Sequence, residues 1–234
     1  MRLVGPMQSW GTTSRFDERD TQLEPSKSGV VGLLCAALGR DRAEPVDDLA
    51  ALRMGVRVDR EGLLMRDYQT ATGVLIAADA KPMMDRTVVS PRYYLADAAF
   101  LVGMEGADRD LLEQVDAALR APCWPLALGR KAFAPSLPIW FSAARQDAAV
   151  PGLHPAALET ALTEQPRIAA PRFEQRGEPL RLMLEHSSSG ALRHDQPIAP
   201  FAERRFGPRF VHSGVLHHVP ESTATEPNEQ RRPA

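Results

Sequence analysis

The run Leu3-Val4-Gly5-Pro6-Met7-Gln8-Ser9-Trp10-Gly11, followed by Pro25-Ser26-Lys27-Ser28-Gly29-Val30-Val31-Gly32-Leu33-Leu34, constrains this chain more than any other part of it. A short apolar strand, residues 2–5, enters a polar turn that is flanked by glycines and carries a tryptophan. Residues 12–24 are polar without a period and read as a loop. A helix is expected over residues 26–38, with Ser26 or Ser28 as N-cap and Gly39 just past its end. Val30, Val31, Leu33, Leu34, Ala37 and Leu38 make that helix apolar over most of its surface, so it has to be buried. Backbone N–H groups at a helix start favour an anion, and Lys27 adds a full charge. Trp10 offers a flat face on which a base can stack. A phosphate seat beside an aromatic platform points to a nucleic acid rather than a small metabolite. The seat is not a P-loop: the pattern G-x-x-x-x-G-K-S/T puts the lysine after the glycine, and here Lys27 precedes Gly29.

Downstream, residues 47–52 form a short helix candidate, and alternation over residues 54–59 predicts a strand. Residues 63–71 continue a sheet, and residues 74–80 and 87–94 form a projecting hairpin with a mobile tip around Lys81-Pro82-Met83-Met84-Asp85. A core strand is expected over residues 97–104 and an amphipathic helix over residues 109–119. Pro122, Pro125, Pro135 and Pro138 then cut the chain into short extended pieces. A helix over residues 155–165 and strands over residues 180–186 and 210–219 follow. The order strand, helix, strand, hairpin, strand, helix, strand is a split βαβ, ferredoxin-like plan, an α+β class. Expected divisions are a core over residues 1–137 with a thumb hairpin at about 74–94, a small β-rich C-terminal subdomain over 138–219, and a disordered tail over 220–234.

The chain has 234 residues, 44% hydrophobic and 25% charged, which fits a globular protein of one large or two small domains. No apolar run approaches the ~18–20 residues of a membrane span, and the N-terminus shows no signal-peptide pattern. The two cysteines lack metal-ligand spacing, Cys35 reads as a buried thiol, and a cytoplasmic setting is expected. The net charge of −2 argues against nucleic-acid binding by the chain as a whole. Its distribution is uneven: basic residues gather at Arg86 and Arg92, at Arg130-Lys131, and at Arg204-Arg205 and Arg209.

The two N-terminal motifs resemble the CasD family of the type I-E CRISPR surveillance complex, Cascade, within the RAMP superfamily. Leu63-Leu64-Met65-Arg66-Asp67-Tyr68-Gln69-Thr70, Arg92-Tyr93-Tyr94-Leu95-Ala96-Asp97-Ala98-Ala99-Phe100 and Pro125-Leu126-Ala127-Leu128-Gly129-Arg130-Lys131 support the resemblance in order and spacing. The C-terminal third matches more loosely. Family members usually carry a few more apolar residues before Arg2, so on the resemblance either the start codon is misplaced or the edge of the first strand is trimmed. The resemblance implies an RNA-recognition-like core with a thumb. It also implies a non-catalytic subunit that grips the 5′ handle of the CRISPR RNA. The thumb would lean on the adjacent backbone subunit. Another surface would meet the large subunit, so that target DNA is engaged indirectly. A subunit inside such a complex needs only a local basic groove.

On that resemblance Ser26, Lys27, Ser28 and Gly29, with Arg130 and Lys131, would hold phosphates, while Trp10 and Arg92 would stack on or wedge between bases. Gln8, Ser9 and Trp10 either contact bases or ribose, or form a turn whose tryptophan closes the sheet. Each remaining element also has a structural alternative: a capped helix with a solvated lysine, a surface arginine on a strand edge, an exposed turn.

Metal-free RNA cleavage needs a general base and a charged group for the phosphate. Relatives in type I-C systems process CRISPR RNA with tyrosine, lysine and histidine; Tyr93 or Tyr94 and Lys131 would be the matching residues here. The six histidines are His154, His186, His194, His212, His217 and His218, all outside the N-terminal region, so His186 or His194 would have to fold back. The expectation is no catalysis, with a metal-independent endoribonuclease as the alternative. His217 and His218 are adjacent and point apart on a strand, and there is no HExxH spacing. Neither a metal nor another cofactor is expected.

Overall fold

The computed structural model describes residues 1–13, 18–75, 82–140, 152–171 and 177–220. Its elements are β1 (Arg2–Val4), β2 (Met7–Gln8), α1 (Lys27–Leu38), α2 (Asp47–Ala51), β3 (Arg53–Arg60), β4 (Leu63–Leu75), β5 (Pro82–Ala96), β6 (Ala99–Glu105), α3 (Arg109–Arg120), α4 (Leu158–Glu164), β7 (Leu180–His186), β8 (Ala191–Pro197) and β9 (Phe206–Leu216). Six strands form one antiparallel sheet in the order β1-β6-β3-β7-β9-β8; β2, β5 and β4 form a second. The run β1-α1-β3-β6-α3 with spatial order β1-β6-β3 is the split βαβ arrangement, in an α+β fold. Along the outer edge of β1, Arg2 N–H donates to Ile139 O and Ser136 N–H donates to Val4 O, both at 2.8 Å. The proline-broken segment 136–139 thus runs where a fourth ferredoxin strand would lie.

Helix α1 starts as its cap residues dictate. Ser26 Oγ accepts the Gly29 N–H, and Gly39 ends the helix in the left-handed region at φ 76°, donating to Cys35 O. Asp108 caps α3 in the same way through the Leu111 N–H. Both helices pack on one face of the sheet against Met54, Val56, Val58, Phe100 and Val102. The opposite face of β3 does not meet water. Helix α4 covers it, joining Leu158 and Leu162 to Leu101 and Leu182. The polar half of the β3 alternation is therefore buried. Arg57 and Asp59 are both 0% exposed, joined by bonds of 2.6 and 2.9 Å. Arg57 also donates to the carbonyls of Leu162, Gln165 and Pro166, and Asp59 accepts the Ile168 N–H. Buried charges have to be paired and fully hydrogen-bonded in this way.

The C-terminal strands continue the core sheet: β7 pairs with β3 from Gly55↔Leu184 to Val58↔Arg181. Strand β8 lay in a stretch with no predicted element. The hairpin begins earlier than expected. Residues 63–71 belong to its first arm, since β4 pairs with β5 from Leu63↔Ala96 outward to Leu75↔Pro82. Strand β2 pairs with its root at Met7↔Ala96 and Gln8↔Leu95. Residues 76–80 of the expected first arm, residue 81 of the expected tip and the tail from 221 lie outside the described residues, while residues 82–85 of that tip begin β5.

Candidate nucleic-acid interface

The sequence motifs interlock, and the interlocking separates core from surface. Trp10 is 1% exposed and Gln8 is 0% exposed. The indole Nε1–H donates to Gln8 Oε1 at 3.2 Å, and Gln8 Nε2 donates to Leu3 O and Ala98 O at 3.1 and 2.8 Å. A Cβ on Gly29 would lie 2.8 Å from Trp10 Cε3, so the ring rests directly on the first turn of α1. Trp10 thus closes the sheet and presents no face to a base. This corrects the stacking expectation for Trp10 and the base-contact expectation for Gln8. The two N-terminal motifs occur together because one packs on the other.

The expected phosphate seat is filled by the protein itself. Lys27 is 1% exposed, and its Nζ donates to Glu185 Oε1 at 2.7 Å. The Lys27 backbone N–H donates to Asp195 Oδ2 at 2.8 Å. Asp195 is also held by Arg209, 2.6 Å from Nε to Oδ1, and Glu185 accepts the Met54 N–H as well. Burial lowers the Lys27 ammonium below its ordinary range, and the Glu185 hydrogen bond partly offsets this. Carboxylates from β7 and β8 therefore take the place that Ser26, Lys27, Ser28 and Gly29 were expected to offer an RNA phosphate. Ser26 is buried as the cap, and Ser28 Oγ meets Ser26 Oγ at 3.4 Å.

Arg92, Arg130 and Lys131 come together at the root of the hairpin. Gly129, at φ 92°, makes the turn before Arg130; a Cβ there would lie 1.8 Å from Ser9 O. Ser9 N–H donates to Leu128 O at 3.1 Å, and Ser9 Oγ reaches Tyr93 O at 3.4 Å. Arg130 Nη2 donates to Tyr93 O at 2.8 Å and to Arg19 O at 3.4 Å, with its guanidinium 5.4 Å above the Phe133 ring. Arg19 forms a parallel bridge with Arg92: its N–H donates to Pro91 O, and Tyr93 N–H donates to its carbonyl. Arg92 Nε lies 3.5 Å from Ser90 Oγ.

None of Arg19, Arg92, Arg130 or Lys131 has a carboxylate within ion-pair distance among the described residues. Burial first, and the Arg92 charge second, lower the Arg130 guanidinium below its ordinary range; Asp67 acts in the other direction. Arg19 and Lys131 are exposed, and Arg92 and Arg130 half-buried. Asp67, opposite Arg92 on β4, and Asp20 lie near, but none of the four cations is in ion-pair contact with a carboxylate among the described residues, which makes a site that an anion would complete. Arg19 was not singled out in the sequence. It sits in an aperiodic loop, and only the bridge to β5 places it there.

The histidines lie elsewhere. His186 ends β7 beyond the level of Gly55, at the Arg53 end of β3, whereas Arg60 at the other end bonds Asp97 next to the hairpin root. The eight residues of β3 span about 26 Å at ~3.3 Å each. His194 is exposed on β8 beside the buried Asp195. His186 therefore does not reach Tyr93, Tyr94 or Lys131, and among the described residues no hydrogen bond or ring contact joins His194 to them. Among the described residues no group of three or more His, Cys, Asp or Glu is arranged to hold a metal ion, and no helix is long and apolar enough to cross a membrane.

Known proteins share this architecture. The Escherichia coli protein named CRISPR system Cascade subunit CasD is 32% identical over 146 residues, which is 56% of this chain and 64% of that protein, so less than two thirds of its length is matched. A solved structure titled "Crystal structure of Cas protein" is 49% identical with a TM-score of 0.73, covering 94% of this chain and 96% of that one. A chain of a "CRISPR RNA-guided surveillance complex" is 30% identical with a TM-score of 0.69, covering 92% of this chain and 88% of that one. The family model described as "CRISPR-associated protein (Cas_Cas5)" matches residues 1–212, and the chain therefore belongs to that family.

Proposed function

We propose that this chain is a non-catalytic RNA-binding subunit of a CRISPR surveillance complex of the Cascade type, acting in the cytoplasm. It grips the 5′ handle of the CRISPR RNA and joins the backbone and large subunits for interference with target DNA. The observation that carries the reading is the group of four cations at the hairpin root, Arg19, Arg92, Arg130 and Lys131, which lack ion-pair partners among the described residues. Guanidinium groups bind phosphate in a fork and stack on bases, so Arg92 and Arg130 suit a single-stranded handle leaving the complex. Gln8, Trp10 and Ser26 to Gly29 serve as the frame that holds Ser9 and Gly129 against this site. The exposed Leu63, Leu64, Met65 and Tyr68 on β4 suit a protein neighbour along the hairpin.

The endoribonuclease alternative would need a base beside Tyr93 and Lys131, and His186 stands the length of β3 away. The test is to mix purified protein with end-labelled CRISPR repeat RNA in EDTA and resolve complexes and products on gels. A handle-dependent shift without cleavage is expected, weakened in the Arg92→Ala/Arg130→Ala double variant. Site-specific cleavage lost in Lys131→Ala would replace this reading with the nuclease. Unchanged guide retention by the double variant within the assembled complex would remove the site assignment.

A further inference from the structure

The turn between β7 and β8 brings together two imidazoles that the RNA site does not use. The β7–β9 register pairs His186 with Phe210 and Leu184 with His212, so the two histidines are diagonal neighbours on one face. Their ring centroids are 4.6 Å apart at 42°. Ser189 Oγ lies 3.1 Å from His186 Nδ1 and 3.0 Å from His212 Nε2. The backbone N–H groups of Ser188 and Ser189 donate to His186 Nδ1 at 3.4 and 3.3 Å. A ring nitrogen that accepts N–H bonds carries its lone pair there, so the turn sets the His186 tautomer with the proton on Nε2. Two ring nitrogens on different strands thus converge on one hydroxyl, and both rings are exposed.

We propose that His186 and His212 form a surface site for a first-row divalent transition ion, with the Ser189 hydroxyl holding its place when no ion is bound. Imidazole nitrogen suits Cu²⁺, Ni²⁺ and Zn²⁺, and Cu²⁺ binds most tightly of the three. Metal–nitrogen bonds of about 2.0–2.1 Å are ~1 Å shorter than the distances from the rings to Ser189 Oγ. A small rotation of the two exposed rings brings both nitrogens to such an ion, which takes the His186 Nδ1 lone pair from the long Ser188 and Ser189 N–H contacts, with water completing the coordination. Among the described residues no carboxylate joins the pair, so Mg²⁺ and Ca²⁺ are poor occupants. Protons compete for both nitrogens, so binding weakens as pH falls. The bound ion staples the β7–β8 turn onto β9.

The test is calorimetric titration of the full chain with CuSO₄ and NiCl₂, together with the visible d–d absorbance of Cu²⁺. The parent for these titrations carries His217→Ala and His218→Ala, which removes the adjacent pair as a competitor. One equivalent is expected to bind this parent. His186→Ala and His212→Ala should each weaken binding at least tenfold and shift the Cu²⁺ band, while Ser189→Ala binds within about threefold of the parent. Binding by His186→Ala or His212→Ala equal to the parent's, or no saturable binding by the parent, overturns the proposal. Circular dichroism separates either result from misfolding, since both side chains are exposed.

Discussion

Two groups of basic side chains sit near the N-terminal motifs, and they behave in opposite ways. At the start of α1, Lys27 and Arg209 face Glu185 and Asp195 in a nearly dry cluster where cations and carboxylates balance. At the hairpin root, Arg130 donates to the carbonyls of Tyr93 and Arg19, Arg19 bridges to Arg92 through the backbone, and Lys131 follows Arg130 in the turn, with no carboxylate in ion-pair contact with any of the four among the described residues. The first cluster is complete and ties α1 to β7 and β8, joining the N-terminal and C-terminal parts of the chain. The second is incomplete and is the one that fits an anionic polymer. A lysine at a helix N-terminus reads as a ligand site only while the rest of the chain is left out.

Lys27→Ala should produce the largest effect. It leaves Glu185 without its ammonium partner at a nearly closed site, a loss of about 3–5 kcal/mol in denaturant unfolding. RNA affinity of the protein that remains folded should hardly change. A variant that kept its stability and lost RNA binding would reverse the roles given to the two clusters.

Gly129→Ala comes next. The added methyl meets Ser9 O in a left-handed conformation, for about 2 kcal/mol or more of destabilisation, and the displaced Arg130 should lower RNA affinity too. Stability and binding should fall together here and separately for Lys27.

The double variant Arg92→Ala/Arg130→Ala should lose under about 1 kcal/mol of stability, one carbonyl partner of Arg130 being the main loss. RNA affinity should drop about tenfold or more. The slope of log K against log salt should fall by ~1.4, at ~0.7 for each phosphate contact on a single strand. An unchanged slope would show that neither arginine meets a phosphate.

The smallest effect concerns the closed side alone. Burial pushes the Cys35 thiol up to about 11, so thiolate is scarce at pH 8. Iodoacetamide followed by mass spectrometry should label the exposed Cys123 and leave Cys35 intact until the chain is unfolded. Early labelling of Cys35 would mean that the α1 side opens, which weakens the contrast.

Local signals were enough for much of the fold. The Ser26 cap, the Gly39 terminator and the apolar surface of α1 specified a buried helix, and the β3, β6 and β7 patterns marked their strands. The hairpin arms were misplaced because the break expected near Gly73 is a register shift inside one long strand, where Gly73 takes φ 71° without ending β4. Arg57 and Asp59 fall on the polar half of the β3 alternation, and alternation cannot report the second layer that α4 supplies from a hundred residues downstream. In the candidate site, Arg92 and Arg130 were legible as cations near strand and turn signals. Trp10 was ambiguous, since the same ring serves a base or a core.

What residue order alone established was the set of helices and strands with local caps and periods, and a family resemblance that the comparisons bear out. Those properties depend on neighbours a few positions apart. Which cations stand out of ion-pair contact among the described residues was a tertiary matter, because Coulomb pairing depends on distance in space rather than along the chain. Glu185 and Asp195 lie more than 150 positions after Lys27, and β7 and β8 carry them to it. Arg19 reaches Arg92 and Arg130 only through a bridge between a loop and a distant strand.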